Sequence, residues 1–406
     1  MTAMNANALF VGAKIDPSYH QAIILPDVIK GALRNADKKI RRAIRASAEL
    51  VINSGRAMHY ATDRYRGTVQ KPPKFEVRFL HQGSTVYQTD IHPAFMPPQQ
   101  TDLDDGIYVK TSFVSQDEPS LAATKFFELV EGALQPLCDE EGWSLKRKKT
   151  CVRVELDKTK HIDLPLYAIP DEEFHTLELC AQDLTGMALN AGPHRMVELF
   201  DRFGSLRIPT DRVMLAHRED GWIHSDPRAL HDWFNAQVDR YGPQLRRICR
   251  YAKGWRDFTF TTGGPSSIAL MVCVANTYRL NGVSADDSRD DLAFLEIAES
   301  LPELFTNEIE NPVLEGAPIL NDWEGEEKQT YITYARDLHS TVNGALNGHS
   351  NSDITVDRLR SALGERIPYR PDLVKAFPRA PQIMHGVAGA GVSTTPLPSV
   401  ARTTSG

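Results

Sequence analysis

Residues 100–109 read QTDLDDGIYV, and residues 161–168 read HIDLPLYA. In the first stretch Asp102-Leu103-Asp104 sets two carboxylates at i and i+2. On a strand those side chains share one face while Leu103 points the other way. In the second, Asp163 lies between Ile162 and Leu164 in a run that is apolar apart from its His and Asp, as expected of a strand buried on both faces. A carboxylate there is expensive to bury unless it is paired or ligates a metal. Three carboxylates so arranged suit phosphoryl transfer, in which two divalent ions about 4 Å apart neutralise the leaving phosphates and activate the attacking hydroxyl. Hard ions of the Mg²⁺ type take a few carboxylate oxygens and leave phosphate and water to complete the shell. Upstream, Gln82-Gly83-Ser84 follows the strand-like run Val77-Arg78-Phe79-Leu80. Its glycine lets backbone N–H groups approach a phosphate, and its serine hydroxyl adds a donor. This turn stands about 18 residues before the Asp-x-Asp pair, and Asp163 about 60 residues after it. Asp105 points away from the pair and is expected to be structural, fixing a turn at Gly106.

Around this core the chain reads as two domains, since 406 residues exceed what one core usually supports. Pro26 to about Ser54 forms a helix with Ile29, Leu33, Ile40, Ile44 and Val51 on one stripe. Lys38, Lys39, Arg41, Arg42 and Arg45 crowd its middle, either as a solvated face or as the lining of an anion site. Pro119 to Leu137 returns to helix, with Leu121, Phe126, Leu129, Val130 and Leu134 inward. Strands follow at Thr150–Leu156 and His161–Ala168. Beyond about Asp211 strand signals fade, and helices are expected at Pro227–Asp239, Pro243–Lys253, Ser266–Leu280, Asp290–Glu299, His339–Asn347 and Thr355–Leu363. The expected fold class is α+β: a core domain over 1–210, a helical lobe over 211–386 and a disordered tail over 387–406. That tail is too polar and Pro-broken to offset its ordering entropy.

The net charge of −7 argues against a broad nucleic-acid surface, so no obligatory nucleic acid is expected. It leaves nucleotide substrates open, because metal ions can neutralise a triphosphate. Five scattered cysteines without a CxxC pair argue against zinc and against a disulfide framework. No secretory signal is evident, and the longest apolar run, Ile268 to Ala275, is too short to cross a bilayer. A cytoplasmic protein with no membrane partner is expected.

The order Gly-Ser, Asp-x-Asp, strand aspartate resembles the polymerase-β-like nucleotidyltransferases. The words HQGSTVYQT (81–89), TCVRVEL (150–156), HIDLPLYAIPDEEF (161–174), WIHSDPRALHDWFN (222–235), RRICRYAKGWRD (246–257) and GGPSSIALM (263–271) sharpen the likeness. They closely resemble the bacterial cyclic GMP-AMP synthases of the cGAS/DncV-like nucleotidyltransferase family, its Vibrio-type members in particular. The resemblance implies a mixed-sheet nucleotidyltransferase core and a helical lobe, with the substrate cleft between them. Asp102, Asp104 and Asp163 would be catalytic and hold two Mg²⁺ ions, for which Mn²⁺ can substitute. Gln82, Gly83 and Ser84 would form the donor-phosphate turn, and Tyr87 would lie near a nucleobase. Lys253 and Ser267, with Ser266 beside it at a helix start that favours anions, would contact phosphates. Arg153 falls where the family links an arginine to base selection, although its strand position reads equally as a salt-bridge partner. Residues 312–321 depart from the family's acidic contact to a base.

On this resemblance ATP and GTP are joined into a cyclic dinucleotide, 3′,3′-cyclic GMP-AMP, with release of pyrophosphate. The product would activate an effector in anti-phage defence. Gly406, at the end of the flexible tail, resembles the substrates of E1/E2-like ligases. Two alternatives belong to other classes: a nucleotidyltransferase that modifies a protein or RNA, and a nucleotide sensor with a decayed site. The acidic balance argues against the first and the intact carboxylates against the second.

Overall fold

The computed structural model of the chain describes residues 3–12, 17–53, 76–114, 119–175, 212–281 and 289–377. The expected tail, with Gly406, lies outside them, as does Cys180. In chain order the first half holds β1 (Ala3–Asn5), α1 (Asn7–Phe10), α2 (Tyr19–Ile23), α3 (Asp27–Asn53), β2 (Arg78–Gln82), α4 (Gly83–Tyr87) and β3 (Thr101–Lys110). It continues with α5 (Thr111–Val114), α6 (Pro119–Glu141), β4 (Ser144–Arg147), β5 (Cys151–Glu155) and β6 (Lys160–Ile169). The second half holds β7 (Met214–His217), β8 (Gly221–His224), α7 (Pro227–Tyr241), α8 (Gln244–Thr259), α9 (Ser267–Asn281), α10 (Asp290–Thr306), α11 (Gly325–Asn347), α12 (Ser352–Leu363) and β9 (Lys375–Phe377).

A seven-stranded mixed sheet carries the α+β fold. Its main path runs β2-β3-β6-β5-β4, with β3 and β6 parallel and the other neighbours antiparallel. The edge of β6 away from β3 is shared. β5 pairs with its first half, and β7 pairs at Tyr167 and Ala168, followed by β8. Period-two alternation sends Leu103, Ile107, Val109, Ile162, Leu164 and Leu166 to one face, where α3 and α6 cover them. Leu33, Ile40 and Ile44 supply the buried stripe of α3, each worth about 1.5–3 kcal/mol of burial.

Several boundaries differ from the sequence reading. β7 and β8 lie beyond 211 yet extend the first sheet, so the core does not stop at 210. Four-residue strands are too short to show a period against their flanking turns. Conversely, Met4, Ala6, Leu9, Phe10, Tyr19 and Ile23 pack into the helical core, and β1 pairs with β9. α6 runs on past Pro136 and α10 past Pro302, while α11 begins fourteen residues before His339. Leu121 is 45% exposed, and Ala123 takes the inward position instead. No turn forms at Gly106, because β3 passes straight through it.

Buried ion pairs tie the pieces together. The Ala6 amide donates to Asp291, whose carboxylate also pairs with Arg289 at 2.8 Å. Asp290, fully buried, accepts from both arms of Arg247 and from the Tyr251 hydroxyl. Asp105 is structural, as expected, but through a different partner. Fully buried on the rear face of β3, it accepts two bonds from Arg41 of α3, at 2.7 and 2.6 Å. Arg41 also meets Asp37, which His81 holds from β2 at 3.0 Å. The crowded basic helix is thus in part a structural clamp on the sheet's rear.

Arg41→Ala would leave Asp105 without its counter-charge in the core. We expect a loss of about 3–5 kcal/mol in urea unfolding. The loss should shrink as pH falls, because a protonated Asp105 no longer requires a cation; a loss below about 1 kcal/mol, the range of an exposed pair, would show that the clamp contributes little.

Candidate active site

The front face of the sheet carries the chemistry. Asp102 and Asp104 share that face of β3, and the parallel register sets Asp102 beside His161 and Asp104 beside Asp163. The antiparallel registers continue the row outward, placing Gln82 next to Asp104 on one side and Arg153 next to Asp163 on the other. Asp102 is exposed and Asp104 and Asp163 are half-buried. Strand register alone therefore sets the three predicted carboxylates on one face of adjacent strands.

Their electrostatics are uneven. Desolvation, then the charges of Asp102 and Asp163, push the Asp104 carboxyl well above the usual carboxylate range, while Lys253 and Arg153 pull it back. Asp163 is held at both oxygens, accepting from Nε and Nη2 of Arg153 at 2.7 Å each. Of the two possibilities left open for Arg153, its side chain here takes the salt-bridge one. His161 lies 3.9 Å from Asp163 and bonds Gln100 at 3.0 Å; burial lowers its pKa. Sequence reasoning passed over His161, although its i, i+2 spacing from Asp163 put it on the same face.

The Gly-Ser turn abuts this row. Gly83 has φ +64°, and a Cβ there would run into the Asp104 carboxylate. Only glycine lets the carboxylate lie against the turn. Gln82 turns its side chain inward, donating to Tyr108 and accepting from Tyr167, whose rings stack at 4.8 Å. Its amide fills the space a side chain at Gly106 would need, which explains that glycine. Ser84 is half-buried in the first turn of α4. Tyr87 is only 5% exposed, stacked near His231 and edge-on to Phe234, so its ring is packed between elements rather than open to a base.

The segment between α4 and β3 is gripped from the helical lobe through its backbone. Arg250 donates to the Gln88 carbonyl at 2.5 Å, Lys253 to that of Thr89 at 2.7 Å, and Arg366 to that of His92 at 2.6 Å. Gln99 returns the contact to the carbonyls of Asp257 and Phe260. Lys253 is 4% exposed, and burial, then the neighbouring Arg256, lower its pKa while Asp102 raises it. One proton of its ammonium is already engaged, and two remain for an anion.

Ser266 lies just before α9, not in it, and its hydroxyl caps the helix by accepting from the Ala269 amide at 3.1 Å. Ser267 accepts from Arg256 at 3.0 Å. The preceding turn is steadied from α11, where the Tyr331 hydroxyl accepts from the Gly264 amide and donates to Glu327. Arg250, Arg366 and Tyr331 carried no signal, because each acts on backbone atoms far away in sequence.

Hard carboxylate oxygens, excess negative charge and a desolvated Asp104 fit a divalent cation on the front face. Among the described residues, only Asp37, His81 and Asp105 present carboxylate or imidazole atoms all within 4.8 Å of one another. That rear-face group already encloses Arg41, whose charge compensates it and opposes a metal there.

Crowded charge at Asp104 should be visible as instability. A folded pKa above the unfolded one means the native state loses stability as pH rises through the folded value. In chelator, Asp104→Asn should raise the melting temperature at neutral pH by roughly 2 °C or more. The gain should vanish in acid, where Asp104 is protonated in both states. A lower melting temperature at neutral pH would contradict the repulsion.

Two family models match the chain: the nucleotidyltransferase domain of DncV-like cyclic GMP-AMP synthases over 77–167, and the cyclic GMP-AMP synthase C-terminal domain over 242–376. A cyclic GMP-AMP synthase of Escherichia coli (strain TW11681) is 33% identical over 313 residues, covering 75% of this chain and 71% of the relative. The Vibrio cholerae enzyme of the same name is 36% identical over 241 residues, covering 58% of this chain and 54% of that one. Among solved structures, Vibrio cholerae DncV cyclic AMP-GMP synthase with the linear intermediate 5′ pppA(3′,5′)pG superposes with a TM-score of 0.74 at 26% identity. That match covers 93% of this chain and 99% of the other. A DncV mutant in complex with ATP, GTP and 5MTHFGLU2 also gives 0.74 at 25% identity, covering 92% and 99%. The fold, a mixed sheet with a helical lobe, is thus shared: the chain belongs to the DncV-like cyclic GMP-AMP synthase family of nucleotidyltransferases.

Proposed function

We propose that this chain joins ATP and GTP into 3′,3′-cyclic GMP-AMP with release of pyrophosphate, using Mg²⁺ held by Asp102, Asp104 and Asp163. The observation that carries the reading is the alignment of these carboxylates on one face of β3 and β6, against the Gly83 turn. The names of the relatives support the substrates and product.

Divalent ions bound there would neutralise the phosphates and lower the pKa of the attacking ribose hydroxyl. The protein's own residues do the positioning. Gly83, with its open backbone, and Ser84 receive the donor phosphates beside Asp104. Lys253, held by the Thr89 carbonyl, brings a positive charge to the same end of the cleft. Ser267, fixed by Arg256, offers a hydroxyl from the helical lobe. A linear dinucleotide formed in the first transfer can reorient in this cleft and present its second hydroxyl to the same carboxylates.

The purified protein incubated with pairs of labelled nucleoside triphosphates and Mg²⁺ should yield a small cyclic product from ATP plus GTP. Mass and linkage-specific nuclease digestion identify it. Asp102→Asn should reduce product at least 10³-fold, on the order of losing a key electrostatic group, with an unchanged melting curve. A folded Asp102→Asn protein that still makes product would remove the assignment.

The sequence supports two further roles. The product would signal to an effector in anti-phage defence, and Gly406 would offer its carboxyl for activation and transfer by an E1/E2-like ligase, because an unhindered terminal glycine fits a narrow transfer site. Co-expression with the cognate ligase should shift the intact mass of the full chain but not of a variant lacking Gly406. An identical mass for the two, after allowing for the missing residue, would dismiss the ligation.

A further inference from the structure

We propose that Arg153 is a built-in counter-ion for Asp163, a positioning residue that keeps this carboxylate from binding metal until nucleotide arrives. The proposal rests on the reading of Asp102, Asp104 and Asp163 as metal ligands, and it adds an order of filling to that site.

Four observations support it. Arg153 and Asp163 are register partners on adjacent antiparallel strands, so the backbone itself keeps the guanidinium beside the carboxylate. The contact is bidentate, with both oxygens engaged at 2.7 Å. Among the described residues no ion pair forms at Asp102 or Asp104, so direct ion pairing is confined to one carboxylate of the three. Finally, the pair is neither sealed nor fully solvated, at 22% and 16% side-chain exposure. The guanidinium can leave toward solvent without crossing the core.

The physical consequence follows from charge. A divalent ion approaching Asp163 meets a like-charged guanidinium already matched to both carboxylate oxygens. Displacing it forfeits a charge-assisted, two-bond contact, which nothing in the nucleotide-free cleft replaces. A triphosphate changes this balance, since it brings negative charge for the ion and acceptor oxygens for the displaced arginine. Asp102 and Asp104 have no such guard. They should bind a first ion unaided, with Asp163 joining only when nucleotide is present.

Manganese binding to the full-length, nucleotide-free protein tests this, read by electron paramagnetic resonance of the free ion. Arg153→Met should bind Mn²⁺ about tenfold more tightly than the parent, or gain a second site, as expected when a neighbouring like charge is removed. Arg153→Gln, which keeps a hydrogen bond to Asp163 without the charge, should show the same gain and serves if the methionine variant folds poorly. Arg153→Lys should bind as the parent does. Adding Asp163→Asn to either neutral variant should erase the gain. Neutral variants that bind no more tightly, a lysine variant that behaves like them, or a gain that survives Asp163→Asn would each overturn the proposal. The ligand reading fails in a different way: Asp102→Asn would then leave Mn²⁺ affinity unchanged in every background.

Discussion

Mutual repulsion among Asp102, Asp104 and Asp163 is the constraint around which the rest of this structure is arranged. Strand register forces them onto one face, and burial raises the penalty, most of all at Asp104. Such a row persists only if charge is supplied from elsewhere. Arg153 supplies it from the neighbouring strand and Lys253 from the helical lobe. The sheet therefore draws on both its own interior strand β5 and a second domain to offset the charge of its carboxylates.

The rear face shows the same logic with the opposite result. Asp105 immediately follows Asp104 in sequence but points away from it, and there it joins a network with Arg41, Asp37 and His81. Each acid on that side is matched by a fixed side chain. On the front, Asp163 alone of the three carboxylates is held by an arginine. One decapeptide strand thus sends Asp104 and Asp105, at successive positions, into opposite environments, because a strand turns neighbouring side chains to opposite faces.

The helical lobe contributes less by lining than by gripping. Arg250, Lys253 and Arg366 all donate to main-chain carbonyls in the segment that joins the Gly-Ser turn to β3. Charge-assisted bonds of this kind are worth about 1.5–3 kcal/mol each. They fix the distance between turn and aspartates without demanding any particular side chain on the segment they hold.

The sequence by itself determined the sheet's two central strands, the long helices α3 and α6, and the placing of Asp102, Asp104 and Asp163 on one face, because alternation is a local property of β3 and β6. It also singled out Gly83 by type and context, and Lys253 through the family resemblance of the words around it. What only the tertiary structure decided were matters of pairing across distance. β7 and β8 are too short to display a period; β7 exists through its bonds to β6, and β8 through its bonds to β7. The first residues of the chain belong with the helical core because Asp290 and Asp291, far along the chain, capture them. Arg153 faces Asp163 and Arg41 faces Asp105 because of register and helix docking, neither of which a linear pattern encodes. Type and spacing reveal where charge must be handled, while the identity of the group that handles it is a three-dimensional fact.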